Sequence, residues 1–514
     1  MDWGKMVTYL GSTTLKERTV NFGIKDNDRL RHVCVLGKFG SGRAELVVQM
    51  ALQDIERGVG TVLLDASGKA APLLIERIDP ALEEQIIYLD PAQAEYPYSW
   101  NPLDDIRALP KSVQVEYLVE LLLSLYHIER SGFVEYAAHL LIEKPDTSLI
   151  TFHMLVTDEP SREKFFDKDE KAKEAFEQEL KSDTAVKGVL EEGGRYVAKD
   201  TLVRNLLGQH ESKFTLSDVV KGKILIIDFS HIRIFPTRMT PLVRVFADVM
   251  RMLGAHADTP SALYLQDTLR YLAEPEIERL FSSKKVAVTV ADTIQQETDR
   301  PLREFAISRC GSIASFSTHS SDKDIVERAF YPYADSDELV RLGTGEMIVA
   351  LTIDDVRARP FFAKALPLPD RKHISYQDLL VNARKKYTTA RGEIDARFKR
   401  LKGDGKDNAP PERRRTPGGF QDAFRSIMAN RAQQLPGKGA ETKNGAEGDE
   451  KSPASGKGTS NEKNEKKKGN DDDGNGTPQG RGGNAAAPRS EPPVQNEVPE
   501  DVLKNLLYVH PIAT

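Results

Sequence analysis

Apolar residues fall along this chain in two textures. Short unbroken runs end at a glycine or an acid: Val33 to Leu36 leads into Gly37, Gly60 to Leu64 into Asp65, and Ile86 to Leu89 into Asp90 and Pro91. The same texture returns at Ile224 to Ile227, Ala262 to Leu265, Val286 to Val290 and Ile313 to Phe316. Unbroken runs of this length suit strands buried on both faces, and the residues between them, such as Ala44 to Glu56, read as helices. Strands alternating with helices predict an α/β core with a mostly parallel sheet, split into two parts.

The second texture fills residues 107 to 218. Ser112 can cap a helix whose apolar positions include Val115, Leu118, Val119, Leu122 and Leu125, at helical spacing. Glu159 to Lys181 is charge-rich with scattered phenylalanines, as expected of solvated helix surfaces. An all-α insertion over 107–218 therefore separates core parts at 1–106 and 219–370. Beyond them, Ser375 and Asp378 open a basic helical extension, 371–402, that carries Arg384, Lys385, Lys386 and Arg391. Residues 403–497 are too polar to offset their ordering entropy and read as a disordered linker. The stretch 498–514 reads as a short amphipathic motif, with Val502, Leu503, Leu506 and Leu507 after Pro499.

Composition narrows the function. A net charge of −6 over 514 residues gives no general attraction to nucleic acid, so DNA contact needs a local basic surface, for which Arg384, Lys385, Lys386 and Arg391 are the candidates. Cys34 and Cys310 lie in apolar runs and read as buried thiols in a reducing compartment. No stretch reaches the ~20 apolar residues of a membrane span. The sequence thus predicts a cytoplasmic protein that meets the inner face of a membrane only through partners.

Gly37-Lys38-Phe39-Gly40-Ser41-Gly42-Arg43-Ala44 follows a strand and opens a helix, which is the setting a phosphate-binding loop requires. Glycines let successive N–H groups turn towards a phosphate, and the helix N-terminus adds positive potential. At the position of the lysine that spans the β- and γ-phosphates stands Arg43. At the position of the hydroxyl that ligates magnesium stands Ala44, which has no side-chain oxygen.

An ordered series of segments resembles type IV secretion coupling proteins, the TraD/TraG-like conjugation ATPases related to the FtsK/HerA pumping motors. It begins with Phe22-Gly23-Ile24-Lys25, Asp28-Arg29-Leu30-Arg31-His32 and the glycine loop. It continues through Leu64-Asp65-Ala66-Ser67-Gly68, Tyr88-Leu89-Asp90-Pro91 and Tyr98-Ser99-Trp100-Asn101-Pro102-Leu103. Leu206-Leu207-Gly208-Gln209, Gly343-Thr344-Gly345-Glu346-Met347 and Arg359-Pro360-Phe361 complete it, followed by Ala383-Arg384-Lys385-Lys386-Tyr387. The resemblance implies a RecA-like P-loop NTPase core, a hexameric or mixed ring with like or paralogous subunits, DNA as a partner, and a type IV secretion-like membrane apparatus.

Read from the residues alone, Leu64-Asp65, Ile227-Asp228 and Leu265-Gln266-Asp267 each offer a strand-end acid, and Ile224 to Asp228 fits a magnesium-binding strand best. The resemblance instead places the paired acids at Gln266 and Asp267. There the family's aspartate supports magnesium and the following glutamate polarises the attacking water. Gln266 is neutral, Asp267 is one methylene short, and Ala291 stands where the family carries a γ-phosphate-sensing glutamine. Lys284-Lys285 lies near its usual Arg-Lys pair. The expectation is a degenerate ATPase site at Gln266, Asp267 and Ala291, with ATP held weakly through the loop backbone, Mg2+ poorly supported and hydrolysis weak or absent. Two alternatives stay open: an active DNA translocase with an atypical site, drawing on Asp65 or Asp228, and a nucleotide-free structural scaffold.

Overall fold

A computed structural model of the chain describes residues 6–401, apart from 16, 168, 193–194, 294–299 and 373. The linker 403–497, the C-terminal motif 498–514 and Lys402 lie outside the described residues. The strands are β1 (Val7–Leu15), β2 (Arg18–Lys25), β3 (Val33–Leu36), β4 (Thr61–Asp65), β5 (Ile86–Leu89), β6 (Ile224–Asp228) and β7 (Ser261–Gln266). They continue with β8 (Val286–Asp292), β9 (Ser312–Ser315), β10 (Glu346–Ala350), β11 (Thr352–Ile353), β12 (Val356–Arg357) and β13 (Phe361–Ala365).

One 11-stranded sheet runs β2-β1-β13-β10-β9-β3-β8-β7-β4-β6-β5, and β11 and β12 form a separate hairpin. From β9 to β5 every pairing is parallel. From β2 to β9 every pairing is antiparallel. The strand order and the glycine loop after β3 make this a mixed α/β fold of the RecA-like type.

The parallel strands are the apolar runs of the sequence because both faces are covered. In β4, Val62 and Leu64 join the apolar cluster on one face and Leu63 the cluster on the other; in β6, Leu225 and Ile227 alternate in the same way with Ile224 and Ile226. One face packs on the helix Arg43–Glu56 and the helix Ala70–Ile75. The other packs on the long helix Pro236–His256. A smaller cluster around Cys34, Cys310 and Phe330 covers the β9 and β10 region, and both cysteines are free and buried.

Between β5 and β6 the described residues hold helices and no strand. The first long one, Lys111–Tyr126, starts one residue before Ser112, with Pro110 at its N-cap and no side-chain cap. These helices share their apolar cluster with the sheet: Leu118, Phe152 and Phe176 belong to the same buried set as Leu64 and Ile227. The segments leading into and out of the insertion bond to each other. Ser99 Oγ donates to the Glu211 carbonyl at 2.8 Å, and Asp105 accepts from Trp100 Nε1 at 2.8 Å and from Ser217 Oγ at 2.7 Å. Trp100 stacks on Phe246 at 4.3 Å between ring centroids, which seats this neck on the long helix.

Ser375 caps the helix Tyr376–Tyr387, and the helix Arg391–Leu401 follows. The link between them runs beside the neck, with Ser99 N–H donating to the Tyr387 carbonyl at 2.7 Å. Among the described residues no helix is long and apolar enough to cross a membrane.

Candidate phosphate loop and its acidic strand

The loop after β3 has the backbone its glycines predict. Gly37, Gly40 and Gly42 take φ values of 156°, 74° and 114°. A Cβ on Gly42 would lie 2.9 Å from Phe316 Cε1 and 3.1 Å from Gly345 Cα, so only glycine lets the 343–345 turn close against the loop. That turn is fastened by the Gly345 N–H, which donates to the Ser41 carbonyl at 2.8 Å. Lys38 N–H donates to the Ser317 carbonyl at 2.8 Å, and the buried Ser41 hydroxyl donates to the Lys38 carbonyl at 2.8 Å. Gly40 faces open space, and Phe39 is 51% exposed. No side chain caps the helix Arg43–Glu56, so its first N–H groups keep the positive potential that suits an anion.

The side chains tell a different story from the backbone. Arg43, 3% exposed, turns onto the end of β7 and meets Asp267. Its Nη2 donates to Oδ2 at 2.9 Å, while Nη1 stands 2.9 Å from Oδ1 outside hydrogen-bond geometry. Asp267 takes φ 55°, a left-handed conformation that aspartate tolerates better than most residues, and this aims its carboxylate at the loop. Gln266 is fully buried; its Nε2 donates to Asp267 Oδ2 at 3.0 Å, and its Oε1 has no partner among the described residues. Ala291 sits on β8 between Val35 and Gln266 in register, buried in the apolar cluster, with its carbonyl accepting from Asp267 N–H at 2.9 Å. The loop and positions 266, 267 and 291 are therefore brought together across the sheet.

Sequence reading missed a second pair beside the first. Asp292 ends β8 opposite Leu36, and its Oδ1 accepts from Arg303 Nη2 at 3.0 Å while Oδ2 accepts from Leu269 N–H at 3.3 Å. Burial pushes the Asp292 carboxyl up; facing Arg303 draws it down, and Asp267 adds to the rise. The signal was present, since Val286 to Asp292 is one more apolar run ending in an acid. Each carboxylate at the loop is thus matched by an arginine, which leaves little surplus negative charge for a divalent cation.

Asp65 stands beside Gln266 in register on the neighbouring strand and Asp228 one strand further, but among the described residues neither carboxylate bonds to the glycine loop or to Asp267. Asp65 Oδ1 accepts from Ser67 N–H at 2.8 Å, Ser67 Oγ at 2.6 Å and Gly68 N–H at 3.0 Å, and Oδ2 from Ala71 N–H at 2.8 Å, so the carboxylate is spent holding its own turn. Asp228 accepts from Ser230 N–H at 2.9 Å and the Tyr88 hydroxyl at 3.3 Å. Their strands stand third and fourth from β3, ~14 and ~19 Å across the sheet at ~4.8 Å per strand. Lys284 and Lys285 precede β8, at the end of the strand opposite the loop, where Lys285 Nζ donates to the Ala257 carbonyl at 2.5 Å.

The basic extension is partly engaged. Lys386 pairs with Glu84 and Arg391 with Glu95 and Asp395, while Arg384 lies over the Tyr96 ring. Lys385 is exposed. Cavities of about 490 Å³, beside Asp200, His231 and Arg238, and about 510 Å³, beside Arg107 and His210, lie away from the glycine loop.

No protein-family model and no curated protein matches this chain. Among solved structures it is similar to the bacterial conjugative coupling protein TrwBdeltaN70 in its unbound monoclinic form, at 12% identity and TM-score 0.49, covering 71% of this chain and 91% of that one. TrwB in complex with ADP and Mg2+ gives 13% identity and TM-score 0.48, over 71% and 91% of the two chains. VirB4 of Thermoanaerobacter pseudethanolicus gives 11% identity and TM-score 0.47, over 72% and 98%. At such distance only this chain's own side chains speak to what its site does.

The group a P-loop implies, Mg·ATP, fits these residues only in part. The glycine backbone and the uncapped helix suit a phosphate. The metal has no hydroxyl at Ala44, no carboxylate at Gln266, and an Asp267 already held by Arg43.

Proposed function

We propose that this chain is a motor-shaped subunit of the type IV secretion coupling kind, acting as a binding or assembly component and hydrolysing ATP slowly or not at all. The observation that carries the reading is the Arg43–Asp267 contact, which engages the loop's own cation and the strand's remaining acid with each other. Removing one major electrostatic contact from such a site commonly lowers the rate by about 10²–10³. Penalties within one catalytic unit do not multiply. Here, however, the metal's hydroxyl, its carboxylate and the γ-phosphate amide are replaced together by Ala44, Gln266 and Ala291. The ordered resemblance over residues 7 to 400 supports the coupling context, with a ring of like or paralogous subunits as its assembly.

DNA recruitment belongs to the same reading. It would use Lys385 together with Arg384, Lys386 and Arg391, which must exchange their internal partners for phosphates. Binding of that kind weakens steeply as salt rises.

The test is phosphate release by the full chain with ATP, Mg2+ and DNA. Turnover indistinguishable from buffer is expected. Robust, DNA-stimulated turnover that Arg43→Ala abolishes overturns the proposal.

A further inference from the structure

The inference rests on the reading of this loop as a degenerate phosphate site and names what that site can still hold. A buried arginine at the first position of a helix has one natural acid to meet in a working phosphate loop, the phosphate itself. Here it meets Asp267 in a two-point contact, with Nη2 at 2.9 Å from Oδ2 and Nη1 at 2.9 Å from Oδ1. Arg43 is 3% exposed, and its Nη1, though in ion-pair contact with Oδ1, makes no well-formed hydrogen bond among the described residues, so the pair is held by one aligned hydrogen bond and one misaligned contact. Thr268 Oγ1, two residues past the end of β7, is a buried hydroxyl with no partner among the described residues and can donate to an anion, whereas the unpartnered Gln266 Oε1 can only accept. Native interiors seldom leave such groups unsatisfied without a bound water or ion to explain them. The helix above has no side-chain cap, and Gly40 opens onto free space.

We propose that the Asp267 carboxylate occupies the seat of an anionic ligand, and that the site takes a polyphosphate without divalent metal once that carboxylate is neutralised or withdrawn. The charge arithmetic favours a metal-free ligand. With Asp267 withdrawn, Arg43 and the helix N-terminus face the loop, while Ala44 and Gln266 bring no oxyanion to hold a cation. In this structure Asp267 acts as an internal competitor, and Gln266 Nε2, donating to it at 3.0 Å, helps hold it there.

The experiment measures inorganic tripolyphosphate and ATP binding to the full chain by calorimetry, in Mg2+ and in EDTA. Two variants remove the charge: Asp267→Asn keeps the shape, and Asp267→Gly suits the positive φ of 55° at that position. Either is expected to bind tripolyphosphate at least about tenfold more tightly than the natural chain, equally well in EDTA, and to lose the gain when Arg43→Met is added. Asp267→Glu, which keeps the charge, is expected to stay closed. Having two dissimilar variants guards against one failing to fold. No gain in either, a gain that survives Arg43→Met, or a gain that requires Mg2+ overturns the inference. Turnover of Mg·ATP by the natural chain would instead defeat the functional reading itself, so the two failures are distinguishable.

Discussion

Arg29 and Asp54 form a fork-to-fork ion pair with neither side chain exposed, Nη1 to Oδ1 at 2.6 Å and Nη2 to Oδ2 at 2.8 Å. Arg29 belongs to the segment before β3, and Asp54 lies in the last turn of the helix that the glycine loop opens. Arg57 adds a bond to Asp54 at 2.5 Å and to Asp26 at 3.2 Å, and Arg29 also reaches the Tyr264 hydroxyl of β7 at 2.9 Å. The network therefore fixes the far end of the loop's helix to the strand that leads into Asp267. Burial alone would push the Asp54 carboxyl up, but the facing arginines hold it below its ordinary value. Removing one partner leaves a buried charge uncompensated, so Arg29→Ala is expected to cost about 3–5 kcal/mol in urea unfolding. Arg29→Met with Asp54→Leu should cost much less, because both charges leave together. A single variant as mild as the pair would show that the network is solvated.

His32 predicts a pH dependence. Val288 N–H donates to its Nδ1 at 3.3 Å and its Nε2 faces the Phe281 carbonyl at 2.7 Å, which fixes a neutral ring protonated at Nε2. Burial pushes its pKa down to about 4, against the pull of that carbonyl. The unfolded chain takes up the proton below about 6.5 and the folded chain only near 4, so stability is full above about 6.5 and falls as the pH drops between these values. The loss is about 3 kcal/mol at most. His32→Asn, which tolerates the φ of 66°, is expected to flatten the urea midpoint across this range. An unchanged slope in the variant would assign the effect to other groups.

Two loop glycines should respond differently to alanine. Gly42 has both a φ of 114° and neighbours inside 3.2 Å, whereas Gly40 has a φ of 74° and nothing within 4 Å. Gly40→Ala carries only the conformational cost, about 1–2 kcal/mol. Gly42→Ala adds overpacking against Phe316 and Gly345, about 1–3 kcal/mol more. Thermal melts of the two variants check the difference. Equal losses would mean that the 343–345 turn does not close on the loop.

The sequence displayed the parallel strands well because strands covered on both faces must be apolar throughout. It hid β1 and β2, whose Thr8, Thr13, Gly11 and Gly23 alternate with few large apolar residues. That hairpin earns its burial by close backbone approach: a Cβ on Gly23 would lie 2.4 Å from the Thr8 carbonyl oxygen. In the site, the residue types at 43, 44, 266 and 267 were legible as departures from a phosphate loop. Their consequence was not, because Arg43 and Asp267 are 224 positions apart and their contact depends on the left-handed backbone of Asp267. Asp292 was legible as an acid ending an apolar run, but its pairing was not, because Arg303 lies on a helix whose packing no local pattern discloses.

Restoring the loop alone should not restore turnover. Arg43→Lys gives back the compact ammonium, yet the new side chain still faces Asp267 across the same gap. Ala44→Ser supplies one metal oxygen, while Gln266 stays neutral and Ala291 offers no amide to the γ-phosphate. The double variant is therefore expected to release phosphate from Mg·ATP within about tenfold of the natural chain's background. Adding Gln266→Asp and Asp267→Glu supplies the metal carboxylate and a longer acid to direct water, and any substantial gain is expected only there. Phosphate release at matched Mg2+ and DNA, compared across the three proteins, decides the matter. A large rise in the double variant alone would mean that the acidic strand was already competent, and that Arg43 and Ala44 had been the only obstacles.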